Sequence, residues 1–328
     1  MKRLAVFAAL WGGAALADTP VSRPTAIELD RDDTIATRPE LGFDGGAPLG
    51  GGWAIGIGGG WLERPITFVT STGETHPVER RETMSLSASV ALGESVVLDA
   101  RLPFAHQVGD RLQGIGFVDG GNDRALDRWV LADLALALRL RVVGRPAWSV
   151  FARGELTLPT GDSGDFAGES SWTLGWALIA RGDLPHGVTL AAQGGLRIRG
   201  DEVQIADRVA TNELTGAAGI AIAIPPIHPL WCVADQVKLT AEIEGALGDQ
   251  VGSRKGPSPV EARIGLVTKP VESVTLGFRV GAGLVSDEIG APAWRAMVTA
   301  TFVGSAQLTS LLPATERDDE SSEEDVSD

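Results

Sequence analysis

The side chains best suited to acid–base or nucleophilic chemistry are few: His76, His106, His186, His228 and a single cysteine, Cys232. None of the histidines stands with a serine and an acid in the order of a hydrolytic triad, and none has metal-ligand spacing. His106 with Asp110, Asp119 and Asp123 is the one concentration of acid–base groups, and loop acids of this kind are ordinarily solvated. Asp119-Gly120-Gly121-Asn122-Asp123 has calcium-binding residue types without the spacing of a calcium loop. Gly56-Ile57-Gly58-Gly59-Gly60 lies inside an extended stretch with no helix behind it, so it is not a phosphate loop. One cysteine forms no intramolecular disulfide. The expectation is a non-enzyme with no metal and no cofactor.

The chemistry that is patterned is electrostatic. Between Arg128 and Pro159 the even positions Val130, Ala132, Leu134, Leu136, Leu138 and Leu140 are apolar, while Asp133, Arg139 and Arg141 fall among the odd ones. After the turn residues Gly144-Arg145-Pro146 the pattern resumes, with Ala152, Gly154, Leu156 and Leu158 opposite Arg153, Glu155 and Thr157. Strict period-two alternation means extended strands. A helix would put Asp133 and Arg139 far apart around its axis and break the apolar stripe. The two runs therefore read as a hairpin, each strand roughly 10 residues long, the reach of a tilted strand across a bilayer.

Twelve such segments follow one another. They cover about 52–62, 83–92 and 96–104, the two strands of the hairpin between Arg128 and Pro159, and then 172–182, 188–199, 211–224, 237–247, 260–268, 274–284 and 293–303. Short turns such as Gly93-Glu94-Ser95 and Val271-Glu272-Ser273 alternate with longer polar loops, the longest between Phe104 and Arg128. Pro225 to Ala234 breaks the short-turn rule. On this map His76 and His106 fall in loops, and His186 and His228 in turns.

If the apolar faces point outward, the inward bases are Arg101, Arg139, Arg141, Arg153, Arg181, Arg197, Arg199, Lys238, Arg263, Arg279 and Arg295. The inward acids are Asp99, Asp133, Glu155, Glu213, Glu242, Glu244 and Glu261. The interior is then basic although the chain carries a net charge of −15. Isolated charges in a narrow lumen are costly, so most should pair across strands.

The ends read differently. Met1-Lys2-Arg3, an apolar run from Leu4 to Leu16 and a small-residue site ending at Ala17 make residues 1–17 a signal peptide. Residues 18–48 form an irregular lead-in, 49–303 the stranded body, and 304–328 an acidic tail too polar to bury a core. From Glu316 onward the tail sets eight acids against one Arg. The acidic balance argues against nucleic acid as a partner. After Ala17 no apolar run is long enough for a spanning helix.

A soluble sandwich also alternates. Here the mixed face holds many Gly and Ala beside opposite charges, as a narrow enclosed lumen would. A sheet whose apolar face meets only hydrocarbon must close on itself. Trp53, Trp61, Trp129, Trp148, Trp172, Trp176 and Trp294 fall at or near strand ends, where an aromatic girdle belongs. The fold expected is all-β: a 12-stranded antiparallel transmembrane β-barrel of outer-membrane type, both termini at the short-turn, periplasmic end.

The run ending Ala300-Thr301-Phe302 resembles the terminal signal strand of outer-membrane proteins, with Phe302 as its closing aromatic. Leu158-Pro159-Thr160-Gly161-Asp162, Asn212-Glu213-Leu214 and Gly290-Ala291-Pro292-Ala293-Trp294-Arg295 are similar to segments of the Gram-negative barrel that often precedes an OmpA-like peptidoglycan-binding domain. The resemblance covers about 50–303 and implies outer-membrane lipid and the outer-membrane insertion machinery as partners. No OmpA-like domain follows strand twelve in this sequence, so a peptidoglycan-anchoring role is not implied.

The function expected is passive passage or binding of a small solute, anionic if the Arg-rich lumen selects by sign. Arg263 and Arg279 are the positions expected to set ion preference. The competing expectation is a closed structural barrel that displays its loops and offers the acidic tail to a periplasmic partner. A third class, a surface enzyme, would depend on His106. The sequence names no solute and sets no oligomeric state.

Overall fold

The computed structural model describes residues 52–70, 73–109, 125–145, 147–162, 166–169, 171–205, 208–224, 236–248, 250–251, 254–255, 258–285 and 291–305. The signal peptide, the lead-in, the acidic tail beyond 305, Cys232, His228, Asp110, Asp119 and Asp123 lie outside them.

The strands are β1 (Gly52–Thr70), β2 (Gly73–Leu92), β3 (Val96–Gly109), β4 (Leu126–Leu131), β5 (Leu134–Arg145), β6 (Trp148–Leu158), β7 (Thr173–Leu184), β8 (Val188–Arg199), β9 (Val203–Ile205), β10 (Arg208–Ala210), β11 (Glu213–Ile224), β12 (Gln236–Gly248), β13 (Gln250–Val251), β14 (Arg254–Lys255), β15 (Val260–Val271), β16 (Val274–Gly283) and β17 (Trp294–Ser305). Neighbours pair antiparallel in the order β2-β1-β17-β16-β15-β12-β11-β8-β7-β6-β5-β3, and β2 pairs β3 to close the ring. β4 continues the line of β5 along β3. β9–β10 and β13–β14 are small ribbons between barrel strands. The result is a closed, twelve-stranded antiparallel barrel of the outer-membrane type, as the alternation implies.

The seam joins the first strand to the last over twelve residue pairs, from Gly52↔Ser305 to Glu63↔Trp294. Both ends of the described barrel therefore lie at the short-turn rim. The turns there include Gly93, with φ +73°, and a single 3-10 turn at Pro185–Gly187, where His186 takes φ 63° and Gly187 φ 73°.

Burial alternates as the pleat requires. Ile55, Ile57, Leu86, Leu98, Leu138, Leu178, Leu239, Ile264, Phe278, Val298 and Phe302 are exposed on the outer face, while Arg139, Arg263, Arg279 and Arg295 are buried inside. Among the described residues no soluble core of the ordinary kind is built; the apolar band faces outward, which is what hydrocarbon demands. Trp53 and Trp148 stand at the turn end, and Trp61, Trp129, Trp172 and Trp294 at the loop end, all but Trp61 exposed. Trp61 and Trp294 stack across the seam, centroids 6.3 Å apart, with the Arg80 guanidinium over the Trp61 ring. From Trp53 to Trp61 the strand rises about 26 Å, or about 20 Å along the barrel axis at a tilt near 40°.

Three expectations need correction. The loop expected after the first strand is instead an extension of β1 and β2, which stay paired as far as Thr70↔Gly73. His76 and His106 accordingly lie in β2 and β3, not in loops. The period is interrupted there: Thr67, Glu74 and His76 make one face polar, Ile66 and Val78 stay buried on the other, and the register slips between Glu63 and Ile66 and again before Phe68. The strand expected over Arg128–Leu140 is broken at Ala132–Asp133, between β4 and β5. Asp133 is thus a break residue whose carboxylate accepts loop amides, not an inward side chain on a continuous strand.

Candidate solute passage

The inner wall is built from charges of both signs. On one side, Glu244 and Glu261 face each other across β12 and β15, and Glu242 faces Arg263. Two carboxylates so placed repel unless a cation joins them. Arg263 does so, its Nε donating to Glu261 Oε1 at 2.8 Å and its Nη2 to Glu244 Oε1 at 2.7 Å. Arg295 reaches the second oxygen of Glu261 at 3.0 Å.

Room for these arginines comes from glycine. Arg263 faces Gly281 and Arg279 faces Gly265 across the β15–β16 pair. A Cβ on Gly281 would stand 2.7 Å from Arg263 Cγ, and one on Gly265 2.6 Å from Arg279 Cγ. The arginine stems therefore lie flat along the wall over their facing glycines. The same logic holds on β1, where Cβ atoms on Gly56, Gly58 and Gly60 would meet the hydroxyls of Ser87, Ser85 and Thr83.

Across the barrel, Asp99 takes a two-pronged bond from Arg139, Nε to Oδ2 at 2.6 Å and Nη2 to Oδ1 at 2.5 Å, and a further bond from Ser89 Oγ. Arg153 pairs with Glu155 two residues along β6. Arg197 and Arg199 share Glu213, at 3.3 and 3.0 Å. At the turn end Arg181 pairs with Asp183, which also accepts from Thr189 Oγ1. Arg141 lies 3.8 Å from the exposed Glu94. Arg101 and Lys238 also stand at inward positions of β3 and β12, both half-buried.

Accessibility sorts this set. Arg139, Arg279, Arg295 and Arg263 are only 1–3% exposed, so they stiffen the wall and do not meet a solute. Arg153, Glu155 and Arg197 keep 13–16% of their side chains open. Those three, with Gln193, Thr215, Gly175 and Ala177, line a cavity of about 60 Å³ between β6, β7, β8 and β11. Its space exists because β7 offers only Gly175 and Ala177 at the inward positions opposite. Towards the turn end it is floored by inward apolar residues, Phe151, Ile179 and Ala191, packed together.

Arg81, Gln107, Asp183, Phe166 and Glu169 escaped the sequence reading. Arg81 continues the inward parity of Thr83, Ser85, Ser87 and Ser89 one step beyond the expected start of the second strand. Following that polar row backward identifies it, and Asp183 continues Arg181 in the same way. Phe166 and Glu169 lie in the segment between β6 and β7, where no periodicity marks them.

The histidines form no catalytic or metal-binding arrangement among the described residues. His106 points outward, stacked on Trp129 with centroids 5.4 Å apart, with Glu82 at 3.5 Å and Asp127 at 3.3 Å. His76 Nδ1 lies 3.2 Å from Thr67 Oγ1.

No protein-family model matches the chain, and no curated protein matches it in sequence. Solved structures do match in fold. An outer-membrane channel from Pseudomonas putida F1 superposes with a TM-score of 0.54 at 12% identity, over 78% of this chain and 96% of that one. The NanC porin gives 0.48 at 7% identity over 76% and 98% of the two chains, and the KdgM porin 0.45 at 10% over the same shares. At 12% identity the first likeness is one of fold: this chain is built as outer-membrane barrels are.

Proposed function

We propose that the chain sits in the outer membrane, termini on the periplasmic side, as a narrow passive channel for small anionic solutes. The observation that carries this reading is the cavity where two accessible bases, Arg153 and Arg197, stand with Gln193 and Thr215 against a single lining acid, Glu155. Two guanidiniums against one carboxylate, with two neutral hydrogen-bonding side chains beside them, suit a carboxylate or phosphate more than a cation. The outward apolar band between two tryptophan rows supports the location. Burial of Arg263 and Arg279 moves the expected selectivity from them to Arg153 and Arg197.

A second reading, a closed structural barrel, draws support from the packing of Phe151 and Ile179 into the interior. Planar-bilayer conductance of the refolded protein in a salt gradient separates the two. Stable steps with anion preference, moved toward cations by Arg153→Glu with Arg197→Glu, support the channel. A folded barrel that gives no steps establishes the closed reading.

A further inference from the structure

Between β6 and β7, residues 166–169 fold into the barrel mouth, not away from it. Phe166 and Ala167 are 0% and 2% exposed, and Glu169 is 6% exposed. One carboxylate bridges both sides of the segment's neck: Asp133 Oδ1 accepts from the Gly161 amide at 2.8 Å and Oδ2 from the Glu169 amide at 2.6 Å, beside a backbone bond from the Ala167 amide to the Asp162 carbonyl at 3.0 Å. The neck is so tight that a Cβ on Gly168 would stand 2.5 Å from Asp133 Oδ1 and 2.7 Å from Gly161 Cα. The described sides of the neck, 161–162 and 166–169, thus close on one another at Asp133.

Two arginines hold the loop to distant parts of the wall. Arg81 on β2 donates to the Phe166 carbonyl at 2.8 Å, and Arg199 on β8 donates from Nε to Glu169 Oε1 at 3.2 Å. Five strand steps separate β2 from β8 around the ring, which is about 150° of a twelve-stranded circumference. Twelve strands about 4.8 Å apart and tilted about 40° enclose a ring about 24 Å across, roughly half of it filled by inward side chains. Residues 166–169, held by arginines from both ends of that arc, stand in what remains. Phe166 adopts φ 59°, a left-handed conformation that a bulky residue holds only where its surroundings enforce it.

From this geometry we infer that the described parts of 159–172 form the constriction of the channel, and that Asp133 is its positioning residue. The inference rests on the passage reading proposed above and names the element that limits passage. Asp133 belongs to the wall, at the break between β4 and β5, so the break exists to turn a carboxylate toward the loop neck. Glu169 sets an acid at the constriction, and Arg199 neutralises it while also serving Glu213.

The experiment compares wild type with Asp133→Ala and Phe166→Ala, in planar bilayers and by limited proteolysis of the same refolded samples. Asp133→Ala should make the loop cleavable near its neck and raise single-channel conductance at least about twofold. Phe166→Ala should raise conductance while the neck stays protected. A loop released without a change in conductance overturns the constriction. A loop still protected, at unchanged conductance, overturns the role of Asp133. Wild type and both variants silent, with the loop released in Asp133→Ala, overturns the passage reading and the constriction with it.

Discussion

Replacing Arg139 by methionine removes one half of the best-formed ion pair on the wall. Arg139 and Asp99 are 1% and 10% exposed in their side chains and meet through two bonds of 2.6 and 2.5 Å. Opposite unit charges about 4 Å apart attract by about 4 kcal/mol at an effective dielectric near 20. Removing one partner of a buried pair costs about 3–5 kcal/mol, since the other charge stays desolvated. Ser89 continues to donate to Asp99, which places the loss at the lower end, about 3 kcal/mol. Converting Asp99 to leucine as well removes the stranded charge, and the double variant should return to within about 1 kcal/mol of wild type. The assay is urea unfolding of the barrel in phospholipid vesicles, followed by tryptophan emission. Refutation would be an Arg139→Met variant within about 0.5 kcal/mol of wild type, or a double variant as unstable as the single one.

The remaining expectations use the same titration. Phe278→Arg places a charge on the outward face near mid-strand, beside Val298 and Leu266, and should cost about 2–4 kcal/mol; Trp294→Arg, at the rim, should cost far less. Gly154→Ala meets nothing within 4 Å and should stabilise by about 0.5 kcal/mol, because alanine restricts the unfolded chain more than glycine does. Gly109→Ala should destabilise, since its methyl would run into the backbone of Pro77, Val78 and Glu79.

Period-two patterning carried the barrel because one face of every strand must be apolar, and that constraint is written residue by residue in runs such as Leu134–Leu140. It failed above the rim. Where β1 and β2 leave the apolar band, two register slips break the period between Glu63 and Phe68, so Thr67 and His76 read as loop although they sit in paired strands. Asp133 looked like one more odd-numbered charge, because nothing local distinguishes a strand residue from a break residue aimed at a distant neck. The loop itself was illegible for a related reason. Phe166 and Glu169 are fixed by Arg81 and Arg199, residues 85 and 30 positions away, and such contacts leave no local period. The inward list was readable as parity, whereas accessibility was not: the flat lie of Arg263 and Arg279 depends on facing glycines one strand over.

The paired overhang of β1 and β2 beyond Glu63 and Arg80 has a cost that the closed ring avoids. A ring has no free margins, but among the described residues this two-stranded ribbon has two, and each is a template for β-pairing with another copy. Here those margins are spoiled. Register slips between Glu63 and Ile66 and again before Phe68, Arg64 takes φ 46°, and Pro65 and Pro77 remove one amide from each strand. Copies crowded side by side in a membrane would thus expose ribbons that cannot zip together, and the interruptions that look like irregular folding act as protection against aggregation.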